Sequence, residues 1–185
     1  MALAHTILTF LSEQPSSGYD ISKCLEEKVC CWKASPQQIY REINKMEAQQ
    51  LLACELLPQV GRPNKKVCII TEAGRQELRR WHLEPTDPVP IREDLLVKVL
   101  GGAYLPNATL IQEICRRREV HLEQLQRYKS MELDYSRERP LSIQAQYRYL
   151  ILRQGLRYEQ SWIIWCDEVL VFLKQRLPKE IDEAT

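Results

Sequence analysis

Gln37, Gln38, Arg41, Asn44 and Lys45 crowd into one short stretch of the sequence, KASPQQIYREINKMEAQQLL over 33–52. Carboxamides and guanidinium groups at this density suit the reading of base edges, because each can make paired hydrogen bonds in a DNA groove. Bond-making chemistry has less to stand on. Three histidines and scattered carboxylates form no nucleophile with an adjacent base and no metal-ligand spacing, so no catalytic, cofactor or metal site is expected. The polar groups need a scaffold, and the same stretch supplies one. Ile39, Ile43 and Met46 recur at helical spacing, flanked by Tyr40 and Glu47, so one face can be buried while the polar set stays outside. Ser35 is placed to cap the first turn, and Pro36 fits a first helical position where its missing N–H costs little.

A basic turn follows closely. ACELLPQ reads as one extended run, VGRPN as a turn and KKVCIIT as a second run in which Val67 and Ile69 share a face. Gly61 permits the turn and Pro63 stiffens it. Over 56–71 the chain carries Arg62, Lys65 and Lys66 and no acid, a local charge of +3 in a chain whose net charge is only +1. The hairpin can serve as a wing that meets phosphate while the helix probes bases. An ordinary solvated hairpin is the plainer alternative.

Before this helix, Leu3, Ile7, Leu8 and Leu11 mark a helix over 2–12, and 15–18 make a connection in which Ser17 caps a second helix carrying Ile21, Leu25 and Val29. That second helix is expected to end around 30–33. Tyr19 is expected between helices, and His5 at a surface or an interface. Thr71 and Glu72 open a further helix that uses Leu78, Trp81 and Ala73 to close the core. Three prolines in 84–90, EPTDPVP, suggest a hinge. The expected domains are therefore 1–83, a linker over 84–90, a helical module over 91–177 and a tail over 178–185. Leu95, Leu96, Val99 and Leu100 are expected to pack within that module.

Two long helices are expected in it, over 107–132 and 142–174. The first carries a stripe of Ile111, Ile114, Arg118, Leu122, Leu125 and Lys129, with Cys115, His121 and Tyr128 beside it. The second carries Tyr147, Ile151, Gln154, Tyr158, Ser161, Trp165, Val169 and Phe172, flanked by Leu150, Trp162, Cys166, Leu170 and Leu173. At about 1.5 Å per residue the second spans roughly 50 Å, against a radius of gyration near 16 Å for a globule of this size. Such an arm calls for a partner, and a second copy is the simplest. The aromatic cluster around Trp162 is expected to be a dimer seam, with a pocket for a small aromatic molecule as the alternative. Arg116, Arg117 and Arg118 are expected to pair with neighbouring glutamates.

Seven cysteines fit no disulfide or metal framework by spacing, and Cys24, Cys54, Cys68, Cys115 and Cys166 are expected to be buried free thiols. Cys30 and Cys31 are harder to place. No leader pattern and no apolar stretch of about 18 residues is present, so the expectation is a cytoplasmic, reduced protein without a membrane partner.

These motifs resemble the PadR family of winged-helix transcriptional regulators, particularly its AphA-like branch. The likeness rests on MALAHTILTFL, SGYDISK, WKASPQQIYREINKME, GRPNKKVCIIT and TEAGRQELRRW, and continues through IREDLLVKVL to SWIIWCDEVL. It implies a mainly α fold, a winged helix-turn-helix domain with a C-terminal helical dimerisation module. It places Lys33, Ser35, Gln37, Gln38, Tyr40 and Arg41 at or around the reading helix, Arg62, Lys65 and Lys66 in the wing, and Tyr19 as a brace of the core. Lys45 adds a phosphate contact. A homodimer on double-stranded promoter DNA is implied, joined through Ile111, Leu122, Leu125, Ile151, Tyr158, Trp162, Trp165 and Val169, with Leu3 and Ile7 of the first helix assisting. Further partners implied are a small aromatic effector and a second transcription factor or RNA polymerase. Cys68 and CCWKAS stand where similar proteins carry aromatic residues, which opens a thiol-gated variant. A helical protein-association scaffold is the competing class.

Overall fold

Ile7, Leu8 and Leu11, three and four residues apart, close one side of a core whose other walls come from four later elements. The structure, a computed structural model, describes residues 2–28, 34–58, 61, 64–104, 106–137 and 140–175. Helix α1 (Ala2–Glu13) leads into a two-residue strand β1 (Ser16–Ser17) and helix α2 (Gly18–Lys28), followed by α3 (Pro36–Ala48). Strands β2 (Leu52–Leu57) and β3 (Lys65–Ile70) form the wing, and α4 (Glu72–Leu83) returns to pack on α1. The sheet is antiparallel in the order β1-β3-β2, with Ser17 opposite Val67 and Leu56 opposite Lys66. Buried Ile7, Leu8, Leu11, Ile21, Leu25, Ile39, Ile43, Met46, Leu52, Cys68 and Ile70 form one core. At roughly 1.5–3 kcal/mol for each large apolar side chain removed from water, this burial is what holds three short helices and a narrow sheet together.

Local chemistry fixes the ends. Ser17 accepts a hydrogen bond from the Asp20 N–H at 3.2 Å while the Asp20 carboxylate accepts from Ser17, a reciprocal cap on α2. Thr71 caps α4 and also donates to the carbonyls of Gln50 and Leu51. At Gly74 a Cβ would sit 2.3 Å from the Leu51 carbonyl oxygen, so the start of α4 approaches the backbone just before β2 as only glycine allows.

The contacts divide the chain into Met1–Pro88 and Val89–Thr185. In the second unit, α5 (Asp94–Leu100) and a short 3₁₀ turn (Gly102–Tyr104) precede the long helices α6 (Asn107–Arg137) and α7 (Ile143–Lys174). The pairs Arg118–Asp167, His121–Glu159 and Glu132–Tyr149 run in opposite sequence order, so α6 and α7 are antiparallel. The architecture is the expected one, mainly α with a small wing and a helical C-terminal part.

Several expectations are corrected. Cys54 and Cys68 are not free thiols: the strand register sets them opposite each other, and they form a disulfide. Cys115 is exposed rather than buried, since its neighbour Ile114 takes the inward position. Tyr19 is 65% exposed instead of packed between helices, because it lies about 200° round α2 from buried Ile21. His5 is buried, stacked on Trp81 and hydrogen-bonded to Glu77 at 3.1 Å. Ala73 is exposed, and Gly74 makes the close contact instead. Val67 and Ile69 do share a face, but Cys68 and Ile70 face the core. Of the α5 residues, Leu95 and Val99 pack inward while Leu96 and Leu100 are exposed. The buried stripe of α6 is Leu110, Ile114, His121, Leu125 and Tyr128. That of α7 is Leu152, Leu156, Glu159, Cys166, Leu170 and Leu173. On α6 the expected Ile114 and Leu125 are buried together with the adjacent His121 and Tyr128, whereas on α7 the buried side is that of the expected flanking residues Cys166, Leu170 and Leu173 and not the stripe itself, because that side packs on α6.

Candidate nucleic-acid interface

Helix α3 buries Ile39, Ile43 and Met46. At about 100° per residue, Gln37, Arg41, Asn44 and Ala48 lie on the diametrically opposite stripe, and all four are exposed. The same apolar periodicity that seats the helix therefore aims this polar row outward. Lys45 and Gln38 flank the row on one side, Tyr40 and Glu47 on the other.

Ser35 caps α3 as expected, accepting from the Gln38 N–H, and Gln38 completes a capping box by accepting from the Ser35 N–H at 2.8 Å. The Gln38 carboxamide oxygen is thus engaged at the helix start, and its NH₂ group is turned away from that bond. Lys45 lies 3.7 Å from Glu42, one turn back on the same helix. Tyr40 packs its ring against Gly18, where a Cβ would come within 2.5 Å of the ring edge. This contact locks the start of α2 to the flank of α3 and explains the glycine. Arg41 and Gln37 stand clear of the core on the outward row.

The wing lysines are tied to the helices. Lys65 is 2.9 Å from the Asp20 carboxylate on α2, and this ammonium, with Ser17, holds the Asp20 carboxyl below its usual range. Lys66 donates to Glu47 at 2.5 Å and to Asn44 at 3.0 Å, both on α3. Sequence reading treats both lysines as free positive charges. Their partners lie far away in the sequence, so no local signal reveals them. Lys33 and Arg62, with Cys30 and Cys31, lie outside the described residues.

In the second unit, the seam residues fall into two groups. Ile151 and Tyr158 are 43% and 53% exposed on one flank of the buried stripe of α7, where the Tyr158 ring still meets His121 of α6 edge to face, whereas Ile111, Trp162, Trp165 and Val169 pack in part against the unit's own core. Leu122 is half-buried. Leu125 is buried against α7, and Ile7 is spent entirely in the first unit's core; Leu3 packs on that core in part. Arg116 pairs with the neighbouring Glu113 as expected, whereas Arg117 pairs with Glu93 and Arg118 with Asp167 of α7, both distant in sequence. The aromatic cluster is filled by its own rings: Trp162 stacks on His121 and meets Trp165 edge to face. Beside it a cleft of about 590 Å³ is lined by Val99, Asn107, Leu110, Glu168, Val169 and Phe172. Among the described residues no cluster of three acidic, histidine or cysteine side chains can hold a metal, and no helix is long and apolar enough to cross a membrane.

A helix offered outward beside a two-stranded wing defines a winged-helix DNA-binding transcriptional regulator. Residues 7–80 match the family described as Transcriptional regulator PadR-like, and residues 91–174 match the family described as Virulence activator alpha C-term. Rv1176c of Mycobacterium tuberculosis, described as a probable transcriptional regulator, is 36% identical over 188 residues, 95% of this chain and 100% of that protein. The Vibrio cholerae virulence activator AphA superposes with a TM-score of 0.81 at 33% identity, covering 95% of this chain and 99% of that one. Bacillus subtilis PadR has the same fold. Its complex with operator DNA gives a TM-score of 0.78 at 23% identity over 94% and 99% of the two chains. Its complex with p-coumaric acid gives 0.74 at 21% over 93% and 95%. This chain belongs to the PadR-like family of transcriptional regulators, on its AphA-like side.

Proposed function

We propose that this protein binds promoter DNA as a homodimer in a sequence-specific manner and regulates transcription without any catalytic step. The observation that carries the reading is the outward row Gln37, Arg41 and Asn44, set opposite the buried stripe of α3 and beside the wing. Gln37, Arg41 and the free half of Gln38 read base edges. Lys33, Lys45, Arg62 and Lys65 meet phosphate, and Ser35 and Tyr40 position the helix through its cap and its contact with Gly18. Residues 1–83 serve as the DNA-binding domain and 91–177 as the dimerisation domain, joined by 84–90. The exposed flank of α7 that carries Ile151 and Tyr158 supports a second copy as partner. A reader of promoter DNA works in the cytoplasm, where a second transcription factor or RNA polymerase is available to it. Selection of bound fragments from a randomised double-stranded pool tests this reading. An inverted repeat is the expected result, and recovery of no sequence from folded dimer refutes it in favour of a protein-association scaffold.

A gated form of the same function is favoured by two observations. The Bacillus relative is described in complex with p-coumaric acid, and this chain has a largely apolar cleft beside its aromatic cluster. The disulfide between the wing strands adds a thiol route to the same end. Calorimetry with hydroxycinnamates, and DNA titrations with and without reductant, test the two routes; unchanged DNA affinity in both rejects gating.

A further inference from the structure

Asn44 sits on the outward row of α3 with half of its carboxamide already committed. Its oxygen accepts a hydrogen bond from Lys66 Nζ at 3.0 Å. An ammonium only donates, so the amide must turn its oxygen toward Lys66 and its NH₂ away. Lys66 is itself anchored by Glu47, three residues beyond Asn44 on the same helix, at 2.5 Å. Its strand position is fixed by pairing with Leu56 across the wing. Two side chains, Lys66 on β3 and Glu47 on α3, therefore hold one amide in one orientation.

That orientation has a chemical consequence. An unconstrained asparagine reads adenine with both halves, accepting from N6 and donating to N7. Here one of the oxygen's two lone pairs is taken by a cation that also crowds an incoming N6 amine, and the NH₂ group is the half turned outward. Guanine presents two acceptors, O6 and N7, on its major-groove edge, whereas adenine sets a donor beside its acceptor. We infer that Asn44 is a specificity-determining residue that favours guanine over adenine, held with its NH₂ group outward by Lys66 and Glu47. Lys66 is thus a positioning residue, and its charge is satisfied within the protein instead of by phosphate. This differs from the role of Lys65, whose single carboxylate partner leaves it a simpler exchange. The inference rests on α3 entering the major groove.

The test compares wild type with Asn44→Ala, Lys66→Met and Lys66→Arg by quantitative selection on randomised duplex DNA at several salt concentrations. Wild type is expected to show one position per half-site with guanine over adenine. Asn44→Ala, at an exposed site, is expected to lose about tenfold discrimination there and nowhere else. Lys66→Met frees the amide and moves that position toward adenine with the salt slope unchanged, while Lys66→Arg, another pure donor, keeps guanine. The inference is overturned if Asn44→Ala leaves every base preference intact. It is equally overturned if Lys66→Met weakens all sequences alike and removes about 1 from the salt slope per protomer, the signature of a phosphate contact. Recovery of no motif by folded wild-type protein instead overturns the DNA-reading function itself.

Discussion

Lys65 offers the sharpest test of the wing, because its partner in the DNA-free protein is known. Its ammonium lies 2.9 Å from Asp20, with the two side chains 37% and 42% exposed, so the pair is solvent-screened. Breaking such a pair costs at most about 1 kcal/mol, and phosphate can replace the carboxylate. Each phosphate neutralised contributes about −0.9 to the slope of log K against log salt. A dimer carries two copies, so Lys65→Ala is expected to make the slope shallower by about 1.8. Between about 50 and 200 mM salt that amounts to roughly a 12-fold difference in how far affinity falls. Asp20→Asn keeps an acceptor for Ser17 but removes the competing charge. It is expected to tighten binding by up to about fivefold per protomer, the equivalent of about 1 kcal/mol, and to have no effect once Lys65 is alanine. Fluorescence anisotropy on the selected operator, run as a salt series on all four proteins, measures both quantities. An unchanged slope in Lys65→Ala together with no effect of Asp20→Asn refutes the exchange and leaves Lys65 as a structural tie.

Three other outcomes follow from the geometry. Reducing the Cys54–Cys68 bond, which spans a sequence separation of 14, is expected to lower unfolding stability by up to about 3 kcal/mol; an identical urea midpoint with and without reductant contradicts this. Placing Asp at both Ile151 and Tyr158 is expected to yield a folded monomer in sedimentation and to weaken operator binding at least about 100-fold through lost bivalency, whereas a persistent dimer moves the seam elsewhere. Arg80 and His5 pull the Glu77 carboxyl down to about 2 from 4.5. Because the folded value is the lower one, Glu77 stabilises the fold above about pH 4.5 and loses that contribution as pH falls toward 2. Stability of Glu77→Gln measured by urea unfolding should therefore fall less than wild type between pH 5 and pH 3, and parallel curves would exclude the linkage.

How much of this was legible depended on whether the signal was local. Ile39, Ile43 and Met46 announce a buried helix face because their spacing is the helix period, and whatever lies opposite them must face out. Ser35 announces a cap for a similar reason, since its target N–H is three residues away. The spacing from Ser35 to Gln38 also carries the capping box, although Gln38 reads at first sight as a base contact alone. Longer-range features leave no such trace. Ser16 and Ser17 are too few to signal a strand, and they pair only because β3 passes beside them. The phase of the α7 stripe misleads in an instructive way. The helix has two apolar faces, and periodicity cannot say which one packs on α6 and which is left exposed.

The sequence by itself determined the class of protein: the order of helices and wing, the outward polar row of α3 and the family likeness all follow from residue types at short spacings. The tertiary structure alone decided how the charges are spent. It paired Lys65 with Asp20, set Lys66 between Asn44 and Glu47, joined Cys54 to Cys68 and buried His5 on Trp81. Those pairings depend on strand register and on the approach of elements distant in sequence. Propensity and periodicity act over only a few residues and cannot encode them.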